Sequence, residues 1–104
     1  MKPVFLHFTD GEGNTTKTFT TCSLKTGMID NIFDLAEKAS ELEKGNNIVL
    51  TDVRAFYSDL KAIIIAVFKH QFTFEELNEN VEQEELMRVF KDISSKIAGE
   101  MRKK

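Results

Sequence analysis

The chain reads as an α+β fold: an N-terminal β-hairpin packed on a small helical bundle of three longer helices and one short helix. Three observations predict it. A threonine-rich, alternating stretch broken by a glycine turn fills residues 3–22. Beyond it, apolar residues recur at spacings of three and four, the helical period, rather than at two. Within that helical region, "TFEE" at 73–76 carries the start signal of a further helix. With 104 residues the chain is expected to form one domain over 1–104. Its 41% hydrophobic content is enough for a core, and its 30% charged content, both signs interspersed, suits a soluble surface.

Each element has its own warrant. "PVFLHF" at 3–8 is β-branched and aromatic, "DGEGN" at 10–14 is turn chemistry with Gly11 and Gly13 free to take positive φ, and "TTKTFTTC" at 15–22 sets polar positions around Phe19. A lone hairpin is marginal in water, so it must lean on helices or pair its edge with another chain, as a dimer or a ring. A first helix over 28–44 has Met28, Ile32, Leu35, Ala39 and Leu42 on one stripe, with Gly45 and two asparagines as its stop. The break at 45–50 is too short for an interdomain linker. A second helix over 52–70, with Thr51 as N-cap and Asp52 in its first turn, is apolar on more than one side and belongs at the centre of the fold.

A corner follows. Thr73 and Glu76 have capping-box spacing, and Phe72 and Leu77 have hydrophobic-staple spacing, around a short helix over 74–79. A closing helix over 82–98 carries Leu86, Val89 or Phe90, Ile93 and Ile97, with acids at its start and bases toward its end, and Gly99 is its expected stop before a fraying basic tail.

Several function classes are excluded. A formal net charge of −3 does not steer nucleic acid inward, and the second helix of a helix-turn-helix reading of 52–80 is short and acidic. No secretory leader is read at the N-terminus, and the longest apolar run, "AIIIAVF" at 62–68, is far short of the roughly 20 residues that span a bilayer. The single cysteine, Cys22, fits an expected cytoplasmic location and reads as a half-buried small side chain. His7 and His70 lie on different elements, and nothing in the sequence brings them together. Glu75, Glu76 and Glu79 share a helical face without a histidine at metal-ligand spacing. No phosphate-loop, dinucleotide, zincin or nucleophile-elbow motif occurs. The reading is non-enzymatic, with no catalytic residue, cofactor or metal.

The corner carries a resemblance. "VFKHQFTFEELNENV", residues 67–81, resembles the tail assembly chaperones of long-tailed phages and prophages of Gram-positive bacteria. The likeness rests on Val67 and Phe68, then Gln71, Phe72 and Thr73, then Leu77 and Val81, and extends loosely over most of the chain. The family often has a glycine just before the position of Val81; here Asn80 stands there, a residue that tolerates left-handed backbone. The resemblance implies a chaperone that binds the helical tape-measure protein, keeps it soluble, helps recruit tail-tube subunits, stays out of the mature virion, and is often also made in a longer frameshifted form. A small phage or bacterial adaptor binding another protein is the alternative reading.

The residue types at the corner speak for packing or docking, not chemistry. Phe72 and Phe74 are the expected partner-facing anchors, with Phe68 and Leu77 holding the corner in shape. Ile65, off the main stripe of the second helix, and Phe19 on the hairpin extend the expected apolar surface. Many weak contacts along one long partner would act by multivalency.

Overall fold

The computed structural model describes residues 2–45 and 49–102. Strands β1 (Val4–Thr9) and β2 (Thr15–Thr21) form an antiparallel hairpin, followed by helices α1 (Thr26–Lys44), α2 (Leu50–Val67), α3 (Phe74–Asn80) and α4 (Gln83–Arg102). Residues 46–48 of the expected break at 45–50, and Lys103 and Lys104 of the expected fraying tail, lie outside the described residues.

The hairpin register sets Val4 opposite Thr21 and Phe8 opposite Lys17, with a bulge that leaves Thr16 extra as the strand reaches the turn. Asp10 organises that turn: its Oδ1 accepts from the amides of Glu12 and Asn14, each at 2.9 Å. Those amides hold its carboxyl below the usual carboxylate range. Of the two turn glycines, Gly13 takes positive φ, at 87°; Gly11 does not, because the side chain of Asp10 has already reversed the chain.

Alternation decides what the hairpin buries. Val4, Leu6 and Phe8 face inward and are buried, while Phe5 stands 46% exposed on the outer face. β1 lies against α4 and α3, and α2 touches α1, α3 and α4. The core is drawn mainly from α2 and α4: Phe56, Leu60, Ile64, Ile65 and Val67 from one, Leu86, Val89, Phe90, Ile93 and Ile97 from the other. α1 contributes Ile32 and Leu35 fully; Met28, Ala39 and Leu42 of its stripe are half-buried. The molecule measures 39 × 34 × 20 Å.

Helix ends account for most differences from the sequence-based boundaries. α2 begins two residues early, capped by the extended Val49 and not by Thr51; the Val49 carbonyl accepts from Asp52 and Val53, and Thr51 is already inside the first turn. α2 also ends at Val67 instead of 70, because Lys69 and His70 both take left-handed backbone, φ 58° and 60°. The amide of His70 donates to the carbonyl of Ile65 and that of Lys69 to Ala66, the Schellman pattern made without glycine. α1 stops at Gly45 in extended geometry, φ −74°, and Asn80 sits inside α3, donating its side-chain amide to the carbonyl of Glu76. Neither position uses a left-handed residue. α4 runs through Gly99 to Arg102, since one glycine weakens a helix by about 1 kcal/mol without ending it. Cys22 is exposed and not half-buried: it follows the buried Thr21 at the end of β2, in phase with the outward-facing Thr20.

At the start of α3 the capping box forms as its spacing predicts. Thr73 Oγ1 accepts from the amide of Glu76 at 3.1 Å, and Glu76 Oε1 accepts from the amide of Thr73 at 3.0 Å. Thr73→Ala is expected to lower stability by about 1 kcal/mol, read from the midpoint of a urea titration.

Candidate partner-binding surface at the α2–α3 corner

The corner that joins α2 to α3 packs inward through one ring. Phe72 lies 5.6 Å from Phe8, 5.0 Å from Phe19 and 5.7 Å from Phe68, centroid to centroid, so it links both strands to the end of α2. Phe8 and Phe19 complete the group at 4.6 Å. The tilted and edge-on geometries are those that aromatic pairs favour. Phe72 is buried because it stands one residue before the Thr73 cap, the staple position that turns toward the protein, and Leu77, its staple partner by spacing, is buried as well.

The six residues expected at a partner surface therefore separate. Phe68, Phe72, Leu77 and Ile65 are core residues. Ile65 is 8% exposed; α2 is covered by three other helices, so its second apolar side is taken up inside the molecule. Phe19 is half-buried within the aromatic group. Phe74, at the first position of α3, is the one that presents its ring, 41% exposed. The Lys61 ammonium lies 5.6 Å from the centre of that ring, a cation–π arrangement.

Lys61 also borders a shallow groove of about 260 Å³ between α2 and the α3–α4 segment. Tyr57, Leu77, Val81 and Leu86 give it apolar walls, with Asn78 and Gln83 as polar ones, and Gln83 donates to the Tyr57 hydroxyl. Phe74 and this groove share Lys61, so an exposed ring, a cation and a cleft of mixed polarity stand together. A second depression, between α1 and α2, has Glu41, Asp52 and Asp59 against Lys38, whose ammonium is 3.7 Å from Asp59. Among the described residues, no group of three or more His, Cys, Asp or Glu side chains is arranged to hold a metal ion. None of the described helices is long and apolar enough to cross a membrane.

Sequence spacing did not reveal the polar ties that set the hairpin against this corner. Glu85 Oε2 accepts from the amide of His7 at 2.9 Å, and Arg88 clamps Glu85 through two nitrogens at 2.7 and 2.9 Å while donating to the carbonyl of Phe5. Thr21 donates its hydroxyl to the carbonyl of Val67, and Gln71 donates to that of Thr20. The i,i+3 spacing of Glu85 and Arg88 was the one readable signal, and it specifies their pairing but not the strand they reach.

Burial alone would raise the Glu85 carboxyl, but the Arg88 guanidinium and the His7 amide outweigh it and hold the group below its ordinary value of 4.5. The stabilisation is therefore fully present above that ordinary value and is lost as pH falls through the lower folded value. Glu85→Gln is expected to flatten the acid limb of a stability-versus-pH curve measured by urea unfolding, and to lower stability at neutral pH.

The model of one protein family, described as phage tail chaperone protein, matches residues 1–104. The chain belongs to this family. The match takes in the hairpin, the corner and all four helices, which supports a role in phage tail assembly through protein partners. No curated protein and no solved structure matches the chain. For a phage tail chaperone the corner reads as a scaffold, with one displayed ring beside a cleft.

Proposed function

We propose that this tail chaperone binds the tape-measure protein of its phage, keeps that long helical chain soluble, and helps bring tail-tube subunits to it, acting in the host cytoplasm by binding alone and without catalysis. The observation that carries this reading is the family match over the whole chain. The corner supports it: an exposed Phe74 beside Lys61 and a cleft of mixed polarity suits an amphipathic helix that sets apolar residues against the ring and an acidic residue toward the ammonium. A Gram-positive host and a prophage origin belong to the same reading, through the resemblance of residues 67–81.

The test is co-expression with the tape-measure protein encoded beside this chain. A soluble complex that co-purifies is expected, and Phe74→Ala is expected to reduce co-purification at least about tenfold, the loss of an aromatic anchor, while leaving the chaperone folded. Insoluble tape-measure protein beside a free, well-folded chaperone would overturn the reading.

A further inference from the structure

The hairpin treats its two edges differently. Along β1 the outward backbone groups are taken by α4: the amide of His7 donates to Glu85, and the carbonyls of Phe5 and Pro3 accept from Arg88 and Lys96. These contacts fix the parity of the ladder. His7 with Thr18 and Phe5 with Thr20 are the pairs that do not hydrogen-bond across the hairpin. The amides and carbonyls of Thr18 and Thr20 therefore face outward along β2. Gln71 occupies the carbonyl of Thr20. Thr18 is exposed in mid-strand, and no described residue bonds its backbone amide or carbonyl. One edge is sealed with charged side chains and the other is left open.

We propose that a second copy of this chain adds to the open edge, β2 against β2, antiparallel about a two-fold axis at Thr18, to give a four-stranded sheet. The warrant for a second copy is in the strand itself. Residues 15–21 read TTKTFTT, the same from either end except that Lys17 and Phe19 exchange places. About an axis at Thr18, threonine meets threonine at three of the four kinds of pair, and Lys17 lies opposite Phe19 of the second copy. No like charges meet, and the lysine lies against a half-buried ring. An axis at Lys17 would instead set ammonium against ammonium. The edge side chains are threonines, which suit a matching threonine strand better than an apolar peptide needing pockets.

The bulge at Thr16 bends the strand away at one end, and Gln71 competes for the carbonyl of Thr20, so the paired stretch is short. The interface is accordingly small, and the dimer is concentration-dependent. This pairing concerns the free chaperone and stands apart from the tape-measure reading.

Sedimentation velocity is expected to show the average mass rising from monomer toward dimer between about 10 and 500 µM, the range a small interface requires. Thr18→Pro removes the outward amide at a position where an edge strand tolerates proline, and is expected to stay monomeric with the melting temperature nearly kept. A second variant needs no loss of structure. In a Cys22→Ser background, Thr18→Cys places two thiols across the axis, where opposed Cα atoms sit about 5.5 Å apart, within disulfide reach. It is expected to oxidise to a covalent dimer at least about tenfold faster than Glu12→Cys, at the exposed hairpin turn, in the same background. A chain that stays monomeric throughout, a Thr18→Pro variant that still dimerises, or a Thr18→Cys rate no faster than that of Glu12→Cys would overturn the pairing.

Discussion

Phe72→Ala is expected to lower stability by about 3–5 kcal/mol, the usual effect of emptying a buried aromatic site. The ring is 3% exposed and touches three other phenylalanines, so its loss leaves a cavity where the hairpin, the corner and the end of α2 meet. A domain of this size typically holds about 5–15 kcal/mol in total, so the variant forfeits a large share of it. Its Tm is expected to fall by at least about 12 °C. Phe74→Ala, two residues on, supplies the contrast: its ring is already 41% exposed, and its melt is expected to stay within about 0.5 kcal/mol of the parent. A Phe72→Ala melt as high as that of Phe74→Ala would overturn the assignment of Phe72 to the core.

Thr21→Val is the second large effect, about 1–3 kcal/mol, although it keeps the shape of the side chain. Thr21 is 5% exposed, and its hydroxyl donates at 2.9 Å to the carbonyl of Val67, in the last turn of α2. Carbonyls in a final helical turn have no helical amide to accept from, and this one is satisfied across 46 residues of sequence by the strand. Valine leaves it buried and unpaired. Thr20→Val, on the exposed neighbour, is expected to change stability by less than about 0.5 kcal/mol. Equal melts for the two valine variants would show that the Thr21 hydroxyl contributes nothing.

The fold was legible where local chemistry and periodicity agree. The hairpin, four helices, the α4 stripe and the Thr73 capping box follow from spacing alone, because each depends on residues a few positions apart. Boundaries were less legible. Nothing in the sequence marks Lys69 and His70 as left-handed, since glycine is the usual residue there and neither is glycine. The backbone is held there by the amides that close onto Ile65 and Ala66. At the corner, the aromatic cluster was visible as composition, but its sidedness was not. Phe72 and Phe74 look alike in a sequence; one precedes the cap and turns in, the other follows it and stays out. Ile65 was misplaced for a related reason: a second apolar side on a helix signals either a partner or more cover from the same chain, and here three helices provide the cover. The ties from Glu85, Arg88 and Thr21 join residues far apart in sequence, where spacing carries no information.

The 39 Å long dimension carries a stoichiometric consequence. An α-helix advances about 1.5 Å per residue, so on the proposed reading one molecule lying lengthwise would shield about 26 residues of a helical tape-measure protein. Coating on that proposal is a counting problem: the number of chaperone molecules needed would grow in proportion to the length of the chain being coated. Lengthening that chain while expression of the chaperone stays constant leaves its far end bare, and titrating one against the other should show a solubility break at a molar ratio fixed by partner length.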